Sequence, residues 1–208
     1  MLAGTPRRAM PSEHRLSVAW ESRLVLLVIA LVTASLVASF VLYSGTQSSS
    51  RGANGGPTAY LNLTLTYNPA TGNCAFLPGN VSAPAGQEVQ VTITNYDPLT
   101  SHLYLGWQNQ VVGTLGGTMT VQKGLSGGKT TVSGVDALDI GHTFSILDPV
   151  YNLSVPIPPA VSPSSPTIVT FLADFPTSGS YQWGCMCDCN DSSMGTPEAM
   201  YGTLTVVA

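Results

Sequence analysis

The chemically richest stretch of this sequence is Tyr181-Gln-Trp-Gly-Cys185-Met-Cys187-Asp-Cys189, followed eleven residues later by Met200 and then by the apolar run Tyr201-Gly-Thr-Leu-Thr-Val-Val207. Thiolates and a thioether on one loop are soft, polarisable donors of the kind copper selects, normally joined by an imidazole. No histidine follows His142. Any imidazole must therefore be brought to this loop by the fold.

His14, His102 and His142 are the histidines of the chain. His142 opens the segment Gly141-His-Thr-Phe-Ser-Ile146 and lies 43 residues before Cys185; His102 is its rival, 83 residues before Cys185. Cys187 and Met194 are further soft donors on the loop, and Asp191 and Glu198 are carboxylates that can substitute for them. A second reading of the thiols is structural. Four cysteines are an even number, and in an oxidising compartment disulfides are the default, which would pair Cys74 with Cys185, Cys187 or Cys189. Both readings stay open on the sequence. Asp136, Asp139 and Asp148 are too scattered for a paired-carboxylate hydrolase, and neither a nucleophile elbow nor a phosphate loop is present. Independent catalysis on an organic substrate has no support.

The elements that must carry these residues read as strands. Only 9% of the 208 residues are charged, while glycine (21) and proline (15) are plentiful, which points to short strands and tight turns in an all-β domain. Val89-Gln-Val-Thr-Ile-Thr94 alternates apolar and polar residues, the pattern of a strand with one buried face. Ile168–Phe175 is more apolar and is expected at the centre of a sheet. Tyr181–Cys185 and Thr203–Val207 form the last pair, joined by the cysteine loop. The Gly/Thr-rich stretch 98–140 reads as an inserted hairpin. The segment Val155–Pro166 is too proline-rich for a ladder strand and reads as an extended edge or loop.

Residues 24–43 form an uncharged stretch of 20 residues, long enough at about 1.5 Å per residue to cross a hydrocarbon core about 30 Å thick. Arg7, Arg8, Arg15 and Arg23 precede it, and Arg51 alone follows closely, which predicts a cytoplasmic N-terminus. The expected organisation is a cytoplasmic tail (1–23), one transmembrane helix (24–43), a Gly/Ser-rich linker (44–57) and an extracytoplasmic domain (58–208). The linker is a flexible tether. Beyond residue 50, three basic residues face nine acidic ones, a net of −6, which argues against nucleic acid as a partner.

The ordered set Ala83-Pro-Ala-Gly-Gln-Glu-Val-Gln-Val-Thr-Ile-Thr-Asn95, Gly141–Ile146, Ser178–Cys185 and Ala199–Val207 resembles the cupredoxins. Within them, it is similar to the periplasmic domain of cytochrome c oxidase subunit II and to archaeal rusticyanin- and sulfocyanin-like blue copper proteins. The resemblance implies a Greek-key β-sandwich in which His142, Cys185, Cys189 and Met200 bind copper. Cys185 and Cys189 would be the bridging thiolates of a dinuclear centre, and Met200 the weak axial thioether. The loop departs from that pattern: Pro197 stands where a histidine is expected, and the span from Cys189 to Met200 is longer. A mononuclear centre would need both His102 and His142. A dinuclear one would lack an imidazole or recruit Met194, Cys187, Asp191 or Glu198.

The resemblance implies a single-pass protein of the cell membrane that passes electrons through copper, as a carrier or as subunit II of a haem-copper terminal oxidase. Its partners would be the lipid bilayer, oxidase subunit I or another respiratory complex, and a redox donor protein. Two alternatives belong to other classes. One is a metal-free structural or docking subunit of a quinol-type oxidase with disulfide-bonded cysteines; the other is a Cu(I) chaperone or store.

Overall fold

The computed structural model describes residues 59–103, 106–188, 194 and 199–208. The predicted tail, membrane segment and linker lie outside the described residues, as does Cys189.

Two sheets face each other across an aromatic core. The first holds β1 (Ala59–Asn68), β2 (Asn73–Leu77), β4 (Glu88–Asn95), β6 (Met119–Lys123), β7 (Lys129–Val132) and β10 (Thr167–Asp174), in the order β2-β1-β4-β10-β6-β7. The second holds β3 (Asn80–Pro84), β8 (His142–Leu147), β9 (Asn152–Ile157), β11 (Gly179–Gly184) and β13 (Tyr201–Val207), in the order β3-β13-β11-β8-β9. A two-stranded ribbon, β5 (His102–Leu103) with β12 (Cys187–Asp188), stands at one end. A short 3-10 turn spans Leu115–Gly117.

Alternation in sequence becomes alternation in burial because successive side chains of a strand point to opposite faces. In β4, Val89, Val91, Ile93 and Asn95 are buried; in β10, Thr167, Val169, Phe171 and Ala173 are buried. β10 sits between β4 and β6, the central place expected of it. Phe144 and Trp183 of the second sheet meet Phe76 and Phe171 of the first, with Trp183 centred 5.2 Å from both Phe76 and Phe144. The indole Nε1–H donates to the Gly79 carbonyl at 3.0 Å, so this large side chain is buried without an orphaned donor.

The structure revises two local expectations. The hairpin of the 98–140 stretch is β6 with β7, and β6 pairs antiparallel with β10, so the excursion extends the first sheet. Val155-Pro156-Ile157 lies inside β9, paired with β8, with Pro156 opposite Thr143. Proline is tolerated there for a geometric reason. Ser154 N–H points away from β8, donating to Val112 O at 3.0 Å, and two residues on the Pro156 nitrogen faces the same way. The ladder with β8 loses no donor.

One glycine of the closing strand is required by close approach. A Cβ on Gly202 would fall 1.8 Å from the Gly79 carbonyl oxygen and 2.9 Å from the Trp183 ring. Gly202→Ala is expected to destabilise the domain by about 3 kcal/mol, the upper range for overpacking, seen as an apparent melting temperature lowered by about 6–12 °C. A change below about 2 °C would contradict this account.

Candidate metal centre

His142 is the first residue of β8, and Cys185 follows directly after β11, its neighbour in the same sheet. The two strands bring the residues together: Cys185 Sγ lies 3.7 Å from His142 Nδ1, and both side chains are buried. Bonds of about 2.0 Å to an imidazole nitrogen and about 2.3 Å to a thiolate sulfur span such a gap at an angle near 120°. The separation suits two donors sharing one ion.

The backbone N–H of Thr143 points at Cys185 Sγ over 3.4 Å. Thr143 Oγ1 accepts the Met186 N–H at 2.7 Å, and Cys185 N–H donates to the Met200 carbonyl at 2.8 Å. These bonds fix the start of the cysteine loop against β8 and against the residue entering β13. They hold Cys185 where its sulfur receives the Thr143 N–H. Met200 is buried in the same core. Phe76 N–H donates to the Ala199 carbonyl at 2.7 Å, tying β2 to the end of the loop, and the Phe76 ring stands edge-on to the His142 ring at 6.3 Å.

On the other edge of the imidazole, His142 Nε2 lies 2.8 Å from Asp97 Oδ2. Asp97 follows β4, so this contact crosses from the first sheet to the second. Cys74, on the inward face of β2, completes a buried group with Asp97 and His142 whose ligand atoms all lie within 4.8 Å of one another. The sequence points to Cys74 for a disulfide alone and to neither Asp97 nor Thr143. Asp97 carries a weak local signal, since Asn95-Tyr-Asp-Pro98 is a turn-forming run. Nothing local indicates a partner 45 residues away.

His102 occupies a different position. It lies in β5, directly opposite Asp188 of β12, and is exposed. Cys187, in β12 opposite Leu103, is buried, and Met194 packs against the core. Asp191 and Glu198 lie outside the described residues.

No known family profile and no curated protein matches this sequence. Solved structures match over about three-quarters of the chain, at low similarity. Copper-containing nitrite reductase from Thermus scotoductus is 17% identical, with 73% of this chain and 31% of that one covered and a TM-score of 0.37. A multicopper oxidase from Campylobacter jejuni is 9% identical, with 74% and 31% covered and a TM-score of 0.40. Rusticyanin from Thiobacillus ferrooxidans is 15% identical, with 74% and 79% covered and a TM-score of 0.37. This chain is similar to each of these proteins only at low identity and low TM-score. It spans about a third of the length of the two matched enzymes.

A copper ion fits the donor chemistry of the centre. His142 Nδ1 faces a buried thiol that receives a backbone N–H, and the Met200 carbonyl accepts the Cys185 N–H at the start of the last strand. When bound, copper would supply a one-electron couple. The chain's part would be to hold the imidazole and the sulfur in a packed, buried setting.

Proposed function

We propose that this protein is a membrane-anchored, copper-dependent electron-transfer protein, serving a haem-copper terminal oxidase as its subunit II or as a small carrier. The observation that carries the metal assignment is the 3.7 Å approach of Cys185 Sγ to His142 Nδ1, with the Thr143 N–H directed at the sulfur. The membrane anchor rests on the uncharged stretch 24–43, and the orientation on the arginines before it. His142, Cys185 and Met200, with Cys189 from the same loop, are the proposed ligands. His102, Cys187 and Met194 are the reserve donors for a second ion. The acidic outer domain would favour a basic redox donor, an attraction that weakens as salt rises.

Cu(I) storage is a second reading, favoured by one observation: Cys74 lies in the same buried cluster as His142, which makes the neighbourhood richer in sulfur than electron transfer needs. One preparation separates the two. The full chain, purified in detergent and loaded with copper, is expected to give an intense sulfur-to-copper charge-transfer band, a paramagnetic Cu(II) signal and a reversible one-electron wave. Tight Cu(I) binding without a reversible couple would instead support storage. Failure to retain copper in either state, with cysteines that alkylate only after reduction, would overturn both and leave the metal-free docking subunit.

A further inference from the structure

Asp97 is a buried carboxylate that the ligand set does not use, and its position is unusually well fixed. Its N–H donates to Asn95 Oδ1 at 2.8 Å, and its carbonyl accepts the Ala160 N–H at 2.7 Å. Asn95 in turn donates through Nδ2 to the Pro158 carbonyl at 2.9 Å, across the turn that leaves β9. Of the two carboxylate oxygens, Oδ1 accepts the Leu99 N–H at 2.9 Å and Oδ2 faces His142 Nε2 at 2.8 Å. Asn95, Asp97 and His142 are all buried, so these bonds are formed away from water.

An ionised carboxylate can only accept. The ring nitrogen facing it must therefore carry the hydrogen. A neutral imidazole has one N–H, so a hydrogen on Nε2 leaves the lone pair on Nδ1, the nitrogen that faces Cys185. The opposite tautomer would aim an N–H at the metal position and turn a lone pair on the carboxylate. We propose that Asp97 is the positioning residue of this centre: it fixes the tautomer and ring orientation of His142, so that Nδ1 is offered to the ion held with Cys185. The inference deepens the metal assignment and rests on it for its consequence, though the tautomer itself does not depend on a metal.

The geometry also explains why an aspartate serves here better than an asparagine. Two donors converge on the side chain, Leu99 N–H and His142 Nε2–H, and a carboxylate has an oxygen for each. An amide has one acceptor oxygen, and its NH2 would face whichever donor remained. Outer partners of this kind raise the basicity of a ligating imidazole, and their loss typically costs about 10–100-fold in metal affinity.

The test has a metal-free arm and a metal-loaded arm, both on the full chain in detergent. With nitrogen-15 histidine, at about pH 8, above the ordinary histidine pKa, the His142 signals are assigned by their absence in His142→Gln. Metal-free wild type is expected to show Nε2 protonated and Nδ1 unprotonated. Asp97→Ala is expected to lose that single tautomer, and Asp97→Asn, which keeps the volume, to show a mixture. In the loaded arm, copper affinity is expected to fall about 10–100-fold in Asp97→Ala and by less in Asp97→Asn, with the sulfur charge-transfer band retained in both. A wild-type Nδ1–H tautomer, or unchanged tautomer and affinity in the folded Asn variant, would overturn the proposal. So would complete loss of the metal from a folded Asn variant, because Asp97 would then be a ligand alongside Cys74. Absence of copper binding in the wild type with the expected tautomer present would sink the metal assignment and leave the positioning geometry standing.

Discussion

Cys185→Ser is expected to lower copper affinity more than about 100-fold, beyond the loss typical of an outer-shell partner, and to abolish the charge-transfer band. The thiol it removes is the one facing His142 Nδ1, and a hydroxyl is a harder, poorer donor for copper. The same variant tests the structural reading of the cysteines. Serine keeps the volume of the side chain and can still accept the Thr143 N–H, so the metal-free domain is expected to lose less than about 1.5 kcal/mol of stability. A disulfide from Cys74 to Cys185 would close a loop of about 110 residues, and removing it would cost about 4–5 kcal/mol. Chemical denaturation of the metal-free protein reads this difference directly. Large destabilisation with unchanged copper binding would overturn the assignment of Cys185 as a ligand.

Trp183→Ala is expected to give the largest loss of stability, about 3–5 kcal/mol, or a melting temperature lowered by about 6–20 °C. Trp183 is fully buried between Phe76 and Phe144, and it joins the inner faces of the two sheets. Truncation leaves a cavity at the centre of the aromatic cluster and an unsatisfied Gly79 carbonyl. Trp183→Phe separates the two effects. It restores most of the ring and loses the N–H, so it is expected to cost about 1–3 kcal/mol. Because Trp183 lies in β11 two residues before Cys185, which follows that strand directly, the alanine variant should also weaken copper binding. Thermal unfolding followed by far-ultraviolet circular dichroism checks the order Ala below Phe below wild type, and equal stabilities for the three would refute the packing account.

Much of the fold was legible in the chain because burial in a strand is written locally. Val89–Thr94, Ile168–Phe175 and Thr203–Val207 alternate or run apolar over five or more residues, and each proved to be a strand in register with a long partner. Leu61, Leu63 and Leu65 of β1 carry the same period, yet the parallel pairing of β1 with β4 has no local signature, since it depends on a partner some 30 residues on. Pro156 was misleading for a definite reason. A proline forbids a ladder bond only where its nitrogen would face the neighbouring strand, and here it faces away.

The sequence by itself determined which donor types are present, that the cysteines and Met200 flank the closing strand, and that an imidazole must come from His142 or His102. Residue types and near spacings are local facts, and soft donors announce their chemistry wherever they lie. Only the tertiary structure decided which imidazole meets the sulfur: β8 lies beside β11, which brings His142 to Cys185, while β5 pairs with β12 and leaves His102 exposed opposite Asp188. It also brought Asp97, just beyond β4, to the far edge of the same ring, and Cys74 of β2 into the same buried group. Such meetings are set by strand order across two sheets, a long-range property of packing that no window of the sequence contains.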